Sequence, residues 1–148
     1  MLALYAAVLR TTQPTDQFAA GFFRRRKKLA PGARAFLSAT LYALLRRRVR
    51  TLLIGALAQG QASHTLQKGV FGLHVFSPEE EAILALYRWL WEDLGATPED
   101  ARRLAQKALL HTPERDQSWP ANVDDLSKPV AEFAEKKLPH MKLEEPLR

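Results

Sequence analysis

Apolar residues recur along this chain with the spacing of helices rather than strands. In the first segment, Leu2 to about Arg10, the residues Tyr5, Val8, Leu9 and Thr12 fall on one stripe at i, i+3, i+4 and i+7. Gln13-Pro14 closes it, because proline pushes the residue before it out of the helical region. Thr15 or Asp16 then caps a second helix whose apolar side is Phe18, Ala19, Phe22 and Phe23. The basic run Arg24-Arg25-Arg26-Lys27-Lys28 ends it, where cations complement the helix dipole. Gly21 costs about 1 kcal/mol relative to alanine inside a helix, a cost that close approach by a neighbouring helix would explain.

Ala30-Pro31-Gly32 marks a turn, and a third helix from about Gly32 to Arg48 carries the stripe Leu37, Leu41, Leu44 and Leu45, flanked by Phe36 and Thr40. At the helical repeat Arg46 and Arg50 lie opposite that stripe and Arg47 toward its edge. Arg34 and Arg48 fall on or near the apolar side. They must snorkel, pair with an acid at the rim, or belong to a helix that bends near residue 47. Leu52, Leu53, Ile54, Ala56 and Leu57 supply a further short helix.

Residues 59–77 have no helical period and three glycines, so they read as a loop, with a strand hairpin as the minor alternative. Val70, Phe71, Leu73, Val75 and Phe76 are apolar enough to pack part of it on the body. Ser77-Pro78-Glu79-Glu80 is a capping box with proline at the first helical position. It predicts a helix with Ile83, Leu84, Tyr87, Leu90, Trp91 and Leu94 inward and Gly95 past its end. Thr97-Pro98-Glu99-Asp100 repeats the start signal, and Leu104, Ala105, Ala108 and Leu109 continue the core. After His111 come five prolines and one short helix, about Lys128 to Leu138, with Val130, Phe133 and Leu138 apolar; the last ten residues are expected to fray. The expectation is an all-α bundle of about five to seven helices over residues 1–110, followed by a proline-containing extension over 111–148.

Length and composition fit that picture: 148 residues can enclose one core, and 47% hydrophobic with 26% charged residues is ordinary globular composition. The absence of cysteine excludes thiolate nucleophiles, disulfide frameworks and zinc–thiolate or iron–sulfur sites, and it fits a reducing compartment. No run reaches 18 uncharged apolar residues, so a soluble, cytoplasmic chain with no membrane partner is expected. Phosphate-binding glycine loops, H-E-x-x-H and G-x-S-x-G are all missing. His64, His74, His111 and His140 are far apart, with no i, i+4 partner. The acid runs Glu79-Glu80-Glu81, Asp124-Asp125 and Glu144-Glu145 are accounted for by helix starts or exposed segments. No catalytic group, metal or cofactor is expected in this chain.

Charge changes the picture more. Residues 1–50 hold eleven Lys/Arg against one acid, Asp16, whereas residues 51–148 hold eleven Lys/Arg and fifteen Asp/Glu. The net +6 therefore hides a concentrated basic third, which favours a polyanionic partner over a merely solvated face.

The stretch AAVLRTTQPTDQFAAGFFRRRKKLAPGARAFLSATLYALLRRRVR, within about residues 3–53, resembles the start of the Sun/Fmu ribosomal RNA cytosine-C5 methyltransferases. The shared order is a short helix, a Pro-x-Asp linker, Phe-Phe-Arg with a basic run, a turn, Arg-Ala-Phe, then Leu-Tyr-Ala-Leu-Leu-Arg-Arg-Arg. The resemblance implies a helical domain similar to the antitermination factor NusB, contributing RNA binding to an S-adenosylmethionine-dependent enzyme. Ala33 stands where that family commonly has an Asp, and Met1–Leu9 has no basic residue where NusB carries an arginine-rich helix. Nothing corresponds to the catalytic half, so the expected role is a detached, truncated or split RNA-binding module without catalysis of its own.

On these grounds RNA, and by the resemblance ribosomal RNA, is the expected partner. Arg24, Arg25, Arg26, Lys27, Lys28, Arg46, Arg47 and Arg50 would contact phosphates, with Arg34 nearby. The alternative is a protein–protein adaptor docking on an acidic partner or on a separately encoded methyltransferase chain, with Trp89 and Trp119 as anchors.

Overall fold

The computed structural model describes residues 1–60 and 76–142. Seven α-helices and no strand occur among the described residues, so the bundle is all-α. They are α1 (Leu2–Arg10), α2 (Thr15–Arg24), α3 (Pro31–Arg46), α4 (Arg48–Ala58), α5 (Pro78–Arg88), α6 (Pro98–Leu110) and α7 (Asp124–Lys136). A π-helical turn, Trp89–Asp93, extends α5, and a 3-10 turn, Leu138–His140, comes after α7. Val70, Phe71, Leu73 and Val75, expected to pack, and His64 and His74 lie outside the described residues, as do residues 143–148. Phe76, the last apolar residue of that run, is buried.

Helix α5 is the central element. The predicted capping box is made: the Ser77 amide donates to Glu80 Oε1 at 2.9 Å and the Glu80 amide to Ser77 Oγ at 3.1 Å. Every residue from Ala82 to Arg88 is buried, because α1, α4, α6 and α7 all pack against this one helix. Leu4, Tyr5, Leu41, Ile54, Ile83 and Leu109 are among the fully covered side chains of the bundle. Each such side chain contributes about 1.5–3 kcal/mol relative to exposure.

Three helix boundaries differ from the sequence pattern, each for a physical reason. The helix expected over 32–48 stops at Arg46: Arg47 takes φ −107°, ψ 22°, and α4 restarts at Arg48. This break turns Arg48 onto Glu81 with a forked pair, Nε to Oε2 at 2.7 Å and Nη2 to Oε1 at 3.0 Å. At the end of α5 the widened turn delivers the Leu94 amide to the Trp89 carbonyl at 3.0 Å. That extra residue per turn rotates the side chains beyond it out of the α-helical register. Trp91, expected inward, is only partly covered, and Leu94 is 57% exposed. The last helix starts four residues before Lys128, where Asn122 Oδ1 accepts from the Asp124 amide and Gln106 Oε1 from the Val123 amide. Pro129 lies inside it, and Trp119, Val123, Val130 and Phe133 belong to the common core.

Elsewhere the stripes are narrower than expected. In α3 only Thr40, Leu41 and Leu44 are buried, and Phe36 is 61% exposed. In α6 Ala101, Ala105 and Leu109 are buried while Leu104 faces out.

Polar groups on the first turn of α5 are buried with it. Glu79 accepts from Arg10 of α1 and from Ser118 Oγ at 2.9 Å; Glu81 accepts from Tyr5 Oη at 2.9 Å as well as from Arg48. Burial alone would raise the Glu79 pKa, but the hydrogen bonds from Arg10 and Ser118 outweigh it and hold the carboxyl below its ordinary value. A depressed folded pKa means stability that is present above the unfolded pKa of about 4.3 and lost as pH falls through the folded value. Glu79→Gln should therefore cost about 1–3 kcal/mol in urea melts at pH 7, and the gap to the parent should narrow steadily below pH ~4.

Close helix approach occurs at Gly55, not at Gly21. A Cβ at Gly55 would lie 3.0 Å from the Phe76 ring and 3.3 Å from Leu84, whereas at Gly21 it meets only the Arg24 and Arg25 side chains at 3.7 Å. Gly21→Ala should stabilise the chain by up to about 1 kcal/mol. Gly55→Ala should destabilise it by about 1 kcal/mol, overpacking exceeding the propensity gain; thermal melts of the two variants check the opposite signs.

Candidate nucleic-acid interface

Eight of the nine predicted contact residues form two groups with different neighbours, and Arg34 stands apart from both. The first follows α2, whose C-terminal end lies beside the loop after α6. Arg24, Arg25, Lys27 and Lys28 are exposed and form no ion pair with any described residue. Arg26 behaves differently. Its Nε and Nη2 donate to Glu114 Oε1 at 2.9 and 2.6 Å, its Nη1 donates to the Phe22 carbonyl at 3.1 Å, and its guanidinium lies 3.3 Å from the centre of the Phe22 ring. Arg26 is thus engaged in holding the end of α2 to the loop after α6.

The second group sits at the α3–α4 junction. Arg46 and Arg47 are exposed there, on either side of the helix break. Arg50, expected to face solvent, is instead covered: Nη2 donates to Glu92 Oε2 at 2.8 Å, and both side chains are only 17% exposed. Glu92 lies on the π turn that extends α5. Arg34 is partly buried near the start of α3, and its Nε has no hydrogen-bond partner among the described residues. The predicted residues are therefore not one uniform cationic face: Arg24, Arg25, Lys27 and Lys28 stay open to solvent, whereas Arg26 and Arg50 are paired with carboxylates.

Pattern reading missed several residues that shape this region. Arg25, Arg26, Lys27, Lys28, Leu29, Pro113 and Glu114 surround a hollow of about 520 Å³. A second hollow, of about 510 Å³, lies between α1, α2 and the loop carrying Asp116 and Trp119, with Phe18 and Phe22 on its wall. The Ser118 amide donates to Asp116 Oδ1 at 2.8 Å and its single hydroxyl proton is within reach of both Asp116 and Glu79, contacts that lower the Asp116 pKa. Glu114 is 88 positions from Arg26, so no local spacing could have signalled the pair. Trp119, considered as an interface anchor, is 9% exposed and belongs to the core.

No group of three His, Asp or Glu residues placed to hold a metal occurs among the described residues, and no helix there is long and apolar enough to cross a membrane. Comparison with protein-family models, with curated proteins and with solved structures finds no match to this chain.

The two kinds of cation should separate in stability measurements. Lys27→Ala with Lys28→Ala should change unfolding free energy by no more than about 0.5 kcal/mol. Arg26→Ala, which removes the Glu114 pair and uncovers the Phe22 ring, should cost about 1–2 kcal/mol in the same urea melts.

Proposed function

We propose that this chain is an RNA-binding helical module without catalysis of its own. Its RNA-contacting face is centred on Arg24, Arg25, Lys27 and Lys28, with Arg46 and Arg47 as a secondary group. The observation that carries the proposal is that those four neighbouring cations meet no carboxylate among the described residues, in a fold that gives carboxylates to Arg10, Arg26, Arg48 and Arg50. A polyanion supplies the missing counter-charge, and each phosphate neutralised releases condensed counterions. The resemblance to the N-terminal domain of the Sun/Fmu enzymes points the same way. It makes ribosomal RNA the proposed target, with a separate methyltransferase chain as its companion. Long cationic side chains on a helix end track a backbone and give affinity with little base reading.

The test is RNA affinity as a function of salt. With four phosphate contacts the plot of log K against log[salt] should slope by about −3, and Lys27→Glu with Lys28→Glu should reduce its magnitude by about 1.5. A flat salt dependence would falsify the proposal.

The second reading, a protein–protein adaptor, is favoured by the exposed Phe36 and Tyr42 of α3. Purification without nuclease separates the two: a raised 260/280 absorbance ratio supports RNA, a stoichiometric protein companion the adaptor.

A further inference from the structure

The two hollows beside α2 are neighbours, with Arg25, Arg26 and Glu114 bordering both. The Arg26–Glu114 pair thus borders two spaces of unlike charge, one balanced and one strongly positive. On one side Ala3, Ala7, Phe18, Phe22 and Trp119 share the wall with arginines that Glu79, Glu114 and Asp116 balance in charge. On the other side Arg25, Lys27 and Lys28 stand around Leu29 and Pro113. The alanines of α1 open the first space, because a larger side chain at Ala7 would fill it. Arg26 is pinned by Glu114, by the Phe22 carbonyl and by the Phe22 ring, so its guanidinium is a fixed wall rather than a mobile arm.

A neutral heteroaromatic base joined to an anionic phosphodiester has this same division of charge. Guanidinium planes and aromatic rings stack bases that have left a helix, and cations take the adjoining phosphates. The sign of charge also fixes orientation. The charges of the first space balance while the second is strongly positive, so phosphate is favoured on the second, and the Asp116 carboxylate on the first can accept hydrogen bonds from base N–H groups. Paired bases in an A-form helix are stacked inside it, so a duplex has no base to insert.

We propose that this double hollow seats one unpaired nucleotide of an RNA strand. The base lies in the space walled by Ala7, Phe18 and Arg26, and the flanking phosphates lie on Arg25, Lys27 and Lys28. This deepens the RNA reading and rests on it, by naming the strand type and the seat.

Fluorescence anisotropy with the full chain tests it, using a short unstructured single-stranded RNA and a duplex RNA of the same length. The single strand should bind at least about tenfold more tightly. Ala7→Phe, which blocks the aromatic space and leaves every cation in place, should remove that preference and leave duplex affinity unchanged. Phe18→Ala should weaken the single strand similarly, and it keeps the test decisive if Ala7→Phe lowers the melting temperature. Trp119 emission should be quenched by the single strand, and Trp119→Phe should abolish that signal while Trp89 and Trp91 remain. Equal affinity for strand and duplex, or single-strand binding that both variants leave unchanged, overturns the seat while the RNA reading stands. Binding of neither RNA overturns the RNA reading itself.

Discussion

Three ionisable side chains of α5, Glu79, Glu81 and Arg88, are each no more than 3% exposed, and the placement of the surrounding elements follows from satisfying them. A charge withdrawn from water is tolerable only when paired and hydrogen-bonded. Glu79 takes its partners from α1 and from the loop after α6, and Glu81 takes Tyr5 from α1 and Arg48 from α4. Arg88 donates to Thr51 Oγ1 at 3.0 Å and reaches Asp93 at 3.3 Å on the π turn. The partners come from several separate elements, so the buried charges fix how α1, α4 and the π turn sit around α5. Apolar stripes alone would allow these helices to slide. The carboxylates are buried while Arg10 and Arg48 keep about half of their surface in water. The desolvation cost therefore falls on one member of each pair and is offset by charge-assisted bonds of about 1.5–3 kcal/mol.

That arrangement revises what the charge imbalance of the sequence means. Eleven cations against one acid in the first fifty residues suggests a uniformly positive third. In the folded chain the acids of the later segments come back to it: Glu79, Glu81, Glu92 and Glu114 each meet an arginine from residues 1–50. The positive field is thereby reduced and localised, and its most open part is the short segment after α2.

Local signals were legible and long-range ones were not. The capping box at Ser77, the Thr97 cap, whose Oγ1 accepts from the Asp100 amide at 3.1 Å, and Gly95 with φ +79° all depend on neighbouring residues, and each is where the pattern put it. The position of Arg48 on an apolar side was legible as a conflict, and its resolution combined both remedies, a break at Arg47 and an acid partner. The helical wheel failed beyond Arg88, because it assumes 3.6 residues per turn and the π turn does not keep that period. It also gave no sign that Glu79 and Glu81 are buried. Two carboxylates in a first helical turn look like dipole partners, and only α1 and α4 arriving from elsewhere in the chain cover them. For the candidate site, the basic run was plain in the sequence, but the division between Arg26 and its neighbours depends on Glu114, and the aromatic hollow depends on α1.

The four open cations also need a reason of their own. Between Asp16 and Glu79 the sequence contains no acid, and α2 ends at Arg24. The helix dipole rewards a cation in the last turn by about 0.3–1 kcal/mol and fades beyond it. It accounts for Arg24 and contributes little at Lys27 and Lys28. Neither capping nor packing accounts for that pair, since neither lysine pairs with a carboxylate of the described residues. Neighbouring cations gain most from an anion that meets several of them at once. Under the proposed RNA reading, a phosphodiester strand would do so with its evenly spaced charges.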